Sequence, residues 1–195
     1  IGKFWDAIND PLFGWFTDRT KSRFGKRRVF MIFGAIPLAI AIALLWFVPT
    51  ADRVWTFVWI AATFILFDTV WTLTNVPYYA LTSELTDDYD ERSSLTTYRM
   101  VMAVPAYLLG AAVTPAIVGL FALQRTGYAF IGILYGILAA TALLISAAGF
   151  RERQTSVDAK SEPNPFKSMG AALRNKPFLW LCVTYFVVNI SFAFI

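Results

Sequence analysis

Long apolar segments separated by short polar ones dominate this chain of 195 residues. Residues 29–48 and 127–149 are nearly continuous apolar runs, each of the roughly twenty residues that an α-helix needs to cross a bilayer. A transmembrane β-barrel would instead show segments of about ten residues with alternating polarity. The pattern therefore predicts an all-α, polytopic membrane protein with about six transmembrane helices.

Polar breaks between the apolar segments define the predicted elements. Helices are expected at 1–16, 29–49, 54–82, 93–121, 127–149 and from 177 onward. The breaks are a basic loop at 17–28, a turn at 50–53, an acidic loop at 83–92, a turn at 122–126 and a polar segment at 150–176. Because Ile1 and Ile195 both lie in apolar sequence, we expect a piece of a longer protein that starts and ends within helices.

The distribution of basic residues predicts the orientation in the membrane. Six of the seventeen Lys and Arg lie in 17–28, and six more lie in 151–176. Loops rich in Lys and Arg face the cytoplasm, and alternation then puts 83–92 on the same side. This bias explains the basic loop without a nucleic-acid partner. We expect a multi-pass protein of the plasma (inner) membrane whose partner is the lipid bilayer.

The segment 150–176 is the only long break, and it contains Ser, Glu, Pro and Asn in succession. It is the predicted cytoplasmic joint between an N-terminal helical bundle, 1–149, and the first helix of a second bundle, 177–195. The chain has no histidine and a single cysteine, Cys182, so thiolate and imidazole metal sites are excluded within it and proton chemistry must use carboxylates. No cofactor is expected.

The first helix carries polar groups that an apolar helix rarely contains. Lys3, Asp6, Asn9 and Asp10 share one broad face by helical spacing. An ionisable side chain within a bilayer costs about 3 kcal/mol or more, so two carboxylates together indicate a function. At 1.5 Å per residue, Asp6 and Asp10 lie about 18 and about 12 Å along the helix from Asp18 at the predicted membrane edge.

A second polar face follows on the third helix, and one arginine lies on the fourth. The third-helix residues recur at steps of four, three and four: Asp68, Thr72, Asn75 and Tyr79. Counting residues from the loops predicts that Asp10, Asn75 and Arg99 lie at similar depth on three helices. We therefore expect Arg99 and Lys3 to neutralise some of the buried carboxylates.

Three interpretations of the acidic face remain open at this point. In a cation-coupled transporter, Asp6 and Asp10 would bind Na⁺ or a proton, with Asn9 and Thr72 adding neutral oxygen atoms. In an intramembrane Mg²⁺-dependent prenyltransferase, the two aspartates and the acidic cluster at 87–91 would hold a diphosphate, although the cluster lies in a predicted loop. The third interpretation is a purely structural charge network.

Small residues predict where helices pack closely. Gly132 and Gly136 form a small-xxx-small pair on the fifth helix, and Gly110 begins a patch of three small residues on the fourth. Residues of this size let two helix backbones approach each other in a membrane. Both patches are therefore expected to be packing seams rather than binding sites.

Several motifs resemble one family of transporters. The stretch from Trp5 to Pro11, followed by the Gly14 to Arg28 motif, resembles helix II and the next loop of the glycoside–pentoside–hexuronide:cation symporters, typified by melibiose permease, in the major facilitator superfamily. The motifs at 75–81, 84–86, 90–92 and 98–99 resemble helix IV, its loop and the start of helix V. The resemblance covers nearly the whole chain and implies helices II to VII of a twelve-helix transporter.

The resemblance also implies roles for the residues of the first helix. Asp6 and Asp10 match the carboxylates that bind the coupling cation, and they would be Na⁺ ligands if the protein is sodium-coupled. Asn9 lies between them, and Thr72 matches a hydroxyl that assists them. The implied function is uptake of a sugar or glycoside coupled to entry of Na⁺ or H⁺.

The expected substrate half of the site comprises Lys3, Asp68, Asn75, Tyr79 and Arg99, of which Asp68 is added by its helical spacing and would compensate for Asn75 or carry a proton. Arg99 matches a sugar-contacting arginine, and Tyr79 stands where melibiose permease has a tryptophan that packs against the sugar. Asn75 departs from the pattern, because it replaces a sugar-binding aspartate. Lysolipid symporters of the same superfamily share the helix II resemblance, so a lysolipid substrate is the alternative.

Overall fold

The computed structural model describes residues 2–20, 22, 25–49, 52–86, 88–149 and 175–193. Within these ranges the secondary structure is helical, with no strand, as the apolar pattern predicts. The helices are α1 (Gly2–Arg19), α2 (Arg28–Trp46), α3 (Arg53–Leu85), α4 (Tyr89–Val118), α5 (Gln124–Gly149) and α6 (Lys176–Ala193). Their ends differ from the predicted ones by at most four residues.

The acidic segment 83–92 is mostly helix, so its prediction as a loop is wrong. Only 86–88 separate α3 from α4. The Asp88 side chain caps α4 by accepting hydrogen bonds from the backbone N–H groups of Asp90 (2.8 Å) and Glu91 (3.1 Å). Acidic residues are favourable at a helix N-terminus because they satisfy its free N–H groups and complement the dipole. The acidic composition therefore marks a helix start.

Among the residues that the structure describes, four helices are long and apolar enough to cross a membrane, namely α2, α3, α4 and α5. The 18-residue helix α1 carries five charged residues, which lowers its hydropathy below that of a simple spanning segment. Residues 150–174 of the predicted polar segment lie outside the described residues. Helix α6 belongs to a separate compact unit, 155–195, and is an 18-residue helix.

Helices α2 and α5 form a closely packed antiparallel pair. The Arg28 Nε at the start of α2 donates a 2.8 Å hydrogen bond to the carbonyl of Ala147 near the end of α5. At the opposite end, the Arg125 guanidinium donates to the carbonyl of Val48. A Cβ at Gly136 would lie 2.6 Å from the Ala39 carbonyl oxygen. The predicted seam at Gly132 and Gly136 is thus confirmed.

Helix α3 packs on α2 and carries α1 on its other side. A Cβ at Gly34 would clash with the Thr74 side chain, so glycine permits the α2–α3 approach. The Trp59 Nε1 on α3 donates a 2.6 Å hydrogen bond to the carbonyl of Phe47 after α2. Helix α2 therefore lies between α3 and α5, which explains why Met31, Ala35 and Ala41 are fully buried.

Helix α4 packs on α5 through polar as well as apolar contacts. The Thr114 and Tyr135 hydroxyls lie 2.8 Å apart, and Val118 lies against Gly127. The second predicted seam is not found within the described chain, because a Cβ at Gly110 would meet no atom within 4 Å. Small side chains permit close packing, but the fold determines which of them face a neighbouring helix.

Candidate functional site

The contact between α1 and α3 brings together two of the predicted cation-binding residues, Asp10 and Thr72. The Thr72 hydroxyl donates a 3.1 Å hydrogen bond to Oδ1 of Asp10. Thr72 is only 4% exposed, and Asn9, the neighbour of Asp10, is also 4% exposed. A carboxylate on the edge of a buried helix contact thus lies beside a buried amide and a buried hydroxyl.

Two buried amide groups near this contact have donor atoms without acceptors. Nδ2 of Asn9 and Nδ2 of Asn75 are enclosed and have no hydrogen-bond partner among the described residues. Leaving a buried donor unpaired costs about 1 to 3 kcal/mol, so such groups need an explanation. Acceptors on a bound ligand would satisfy donors at these positions.

The contact between α3 and α4 brings together two predicted substrate-binding residues. The Arg99 guanidinium lies over the Tyr79 ring, 4.7 Å from its centroid. Tyr79 remains 52% exposed, so much of the ring is accessible. A cation over an aromatic face is stabilised by the quadrupole of the ring, and the guanidinium keeps its planar set of N–H donors for a ligand.

Asp10 and Arg99 contact α3 at positions about two helical turns apart, on either side of Asn75. Asp10 contacts Thr72, whereas Arg99 contacts Tyr79, and these α3 positions are about 10 Å apart along the axis. With the helix ends at Arg19, Leu85 and Tyr89, the residue count still gives Asp10, Asn75 and Arg99 similar depths, about 14 to 15 Å along each helix. The described residues thus make two contacts along one face of α3, at Thr72 and at Tyr79.

The ion pairs expected in the site involve Lys3, Arg99 and the carboxylates, and the structure describes only some of these side chains. Among the described side chains, Arg99 lies on Tyr79 and Asp10 pairs with Thr72, so these two charges do not pair with each other. Asp68 is partly buried on the same face of α3. The side chains of Lys3 and Asp6 lie outside the described set, so their roles stay predictions.

A contact that the sequence interpretation missed lies on the same helix pair. The Trp5 indole Nε1 donates a 2.9 Å hydrogen bond to the Thr69 hydroxyl, which itself donates to the carbonyl of Ile65 at 2.7 Å. Thr69 is three residues before Thr72 and directly follows Asp68, so including every polar residue at a spacing of three or four from Thr72 would have found it.

The oxygen atoms at the α1–α3 contact suit a small hard cation or a proton. A carboxylate, an amide and a hydroxyl are the neutral and anionic oxygen donors that such ions prefer. The Asp10 carboxylate is exposed within this chain and has one oxygen fixed by Thr72. The arrangement can therefore accept a cation without breaking the helix contact.

Comparisons with known proteins identify membrane transporters as relatives of this chain. The whole chain, residues 1–195, matches the family described as MFS/sugar transport protein. The inner membrane symporter YicJ of Escherichia coli is 31% identical over 90% of this chain and 37% of its own length. The putative glycoside/cation symporter YagG of Escherichia coli is 35% identical over 55% of this chain and 24% of its own length.

Another similar relative is named as a symporter of a lysophospholipid rather than of a glycoside. The sodium-dependent lysophosphatidylcholine symporter 1 of Xenopus tropicalis is 36% identical over 60% of this chain and 23% of its own length. The chain thus spans between 23% and 37% of the length of these three relatives. Since the family match extends from the first residue to the last, the chain belongs to the MFS/sugar transport protein family, as the resemblance to cation symporters implied.

Proposed function

We propose that this chain is part of a secondary active symporter of the plasma membrane, which couples entry of Na⁺ or H⁺ to uptake of a sugar or glycoside. The observation that carries the proposal is the Asp10–Thr72 hydrogen bond beside the buried Asn9. Polar groups of this kind within membrane helices mark ion pathways. The symporter names of the relatives support the same class of activity.

The cation half of the proposed mechanism is electrostatic. A cation bound by Asp10, with Asn9 and Thr72 supplying neutral oxygen atoms and Asp6 a second carboxylate, neutralises charge that is costly inside a bilayer. Binding of the cation then favours the conformation that binds substrate. By thermodynamic linkage, the substrate raises cation affinity by the same factor.

The substrate half rests on the Arg99–Tyr79 pair and on Asn75. An aromatic face under a guanidinium suits the apolar face and the hydroxyl edge of a sugar ring. Asn75 can donate and accept hydrogen bonds without adding a charge, and its Nδ2 lacks a partner among the described residues. Lys3 and Asp68 complete the proposed substrate set.

A lysophospholipid is the second candidate substrate, because relatives named as lysophosphatidylcholine symporters are 34–37% identical to this chain. In that case Arg99 would bind the phosphate of the headgroup. The prenyltransferase hypothesis is discarded, because the family is one of transport proteins. The acidic cluster it required also serves as the N-terminal cap of α4.

The proposal is tested with the full-length protein reconstituted in proteoliposomes. Na⁺ and proton gradients are imposed separately, and uptake of a panel of labelled sugars, glycosides and lysophospholipids is measured. We expect gradient-driven accumulation of a sugar or glycoside. Accumulation of lysophospholipid alone would replace the substrate assignment, and the absence of gradient-driven uptake of any class would contradict the symporter proposal.

Replacing Thr72 is expected to weaken cation binding rather than abolish transport. Thr72→Val keeps the shape but removes the hydroxyl that donates to Asp10, so the cation concentration for half-maximal uptake should rise about fivefold, the ratio expected for one lost hydrogen bond. Thr72→Ser keeps the hydroxyl and serves as the matched control. Equal half-maximal concentrations for the Val and Ser variants would show that this hydroxyl plays no part in cation binding.

A further inference from the structure

We infer that Trp5 and Thr69 are positioning residues that set the rotation of α1 against α3 and thereby the affinity for the coupling cation. This inference rests on the proposed function. It starts from the 2.9 Å hydrogen bond between the Trp5 indole and the Thr69 hydroxyl. Neither residue carries a charge or belongs to the predicted cation-binding set.

Two hydrogen bonds between α1 and α3, Trp5–Thr69 and Asp10–Thr72, lie on opposite sides of a buried residue. At about 100° per residue, Asn9 lies about 40° around α1 from Trp5, and Asp10 lies about 140° from it. Asn9 is therefore between the two bonded positions, and it is 4% exposed. Bonds at both edges of a helix face resist rotation of the helix in either direction.

On α3, a different threonine hydroxyl takes part in each of the two interhelical hydrogen bonds: Thr69 with Trp5, and Thr72 with Asp10. Thr63, Thr69 and Thr74 all donate to carbonyls of their own helix. Because the Thr69 proton is used in this way, its oxygen is held in place as an acceptor for the indole. Thr72 instead donates across the interface to Asp10.

Loss of the Trp5 bond would free one edge of α1 while leaving the cation ligands intact. Rotation of α1 would then move the Asp10 carboxylate relative to Thr72 and Asn9. The predicted consequence is weaker cation binding with little change in the maximal rate, because at saturating cation the site is filled in either case. A role limited to stability would lower the amount of protein but leave the cation dependence unchanged.

The test uses the full-length protein in proteoliposomes and measures the half-maximal cation concentration and maximal uptake rate per molecule of purified protein. Trp5→Phe removes the indole N–H but keeps an aromatic ring. We expect a three- to fivefold rise in the half-maximal concentration, the ratio expected for one interhelical hydrogen bond in a membrane. The matched control is Trp15→Phe, since Nε1 of Trp15 has no partner among the described residues.

The acceptor side gives an independent measurement. Thr69→Val should raise the half-maximal cation concentration as Trp5→Phe does, whereas Thr69→Ser, which keeps the hydroxyl, should leave it at the wild-type value. The double variant Trp5→Phe, Thr69→Val should have a half-maximal cation concentration no higher than that of either single variant. Unchanged cation dependence in both single variants, or effects that multiply in the double variant, would overturn the inference. Asp10→Asn is measured in parallel: if it leaves cation-driven uptake intact, the proposed function fails; if it abolishes uptake while Trp5→Phe has no effect, only this inference fails.

Discussion

Replacing Asp10 with Asn in the full-length protein is expected to abolish cation-driven accumulation of substrate. The amide is nearly the same shape as the carboxylate and can still accept the hydrogen bond that Thr72 donates to Oδ1. It has no negative charge, however, and therefore cannot compensate a cation inside the bilayer. Transport driven by a Na⁺ or proton gradient in proteoliposomes measures the effect directly.

The control for this variant is a carboxylate outside the helix contact. Asp90 lies exposed in the first turn of α4, so Asp90→Asn should retain accumulation. Asp6→Asn is expected to behave like Asp10→Asn if both carboxylates contribute to one cation site. Undiminished accumulation in the Asp6 and Asp10 variants would refute the assignment of this face to the coupling cation.

The second large effect is expected at the seam between α2 and α5. The methyl group introduced by Gly136→Ala would lie 2.6 Å from the Ala39 carbonyl oxygen, a backbone atom that cannot rotate away. The helices must separate to relieve this contact, and overpacking of this kind costs about 1 to 3 kcal/mol. We expect a lower unfolding temperature and a smaller yield of monodisperse protein in detergent.

The same substitution at Gly110 provides a matched comparison. A Cβ there would meet no atom within 4 Å, and alanine is favoured over glycine in a helix by up to about 1 kcal/mol. Gly110→Ala should therefore leave the unfolding temperature unchanged or raise it slightly. Equal unfolding temperatures for the two variants would contradict the assignment of Gly136 to a close-packed seam.

The helices were predictable because the cost of exposing backbone polar groups to lipid leaves few alternatives. An apolar run of membrane length must form a helix, and the ends predicted for 29–49 and 127–149 differ from those of α2 and α5 by at most three residues. The acidic segment 83–92 was misassigned because local composition suggested a loop. Side-chain capping by Asp88 turned most of it into helix.

The candidate site was predictable only in part. The cost of placing a charge within a bilayer identified Asp10 as a candidate site residue. Helical spacing grouped Thr72 with Asn75 and Tyr79. Spacing within one helix does not say which residues meet across two helices, however. The cation-site interpretation grouped Thr72 with Asp10, which are hydrogen-bonded, but residue counting gave no indication that Arg99 lies on the Tyr79 ring.

The sequence by itself determined that this protein is a bundle of membrane helices. It also showed that the bundle contains charged side chains whose burial is costly and therefore indicates a function. Hydropathy, helical periodicity and the cost of burying charge all act within one segment, so they can be evaluated without knowing its neighbours. The tertiary structure alone decided which faces meet, because the rotation and offset of two helices depend on small residues such as Gly136 and on bonds such as Trp5 to Thr69. These contacts join residues that are far apart in the chain, so the small-residue pattern predicted a seam at Gly132 and Gly136 but not the helix that packs against it.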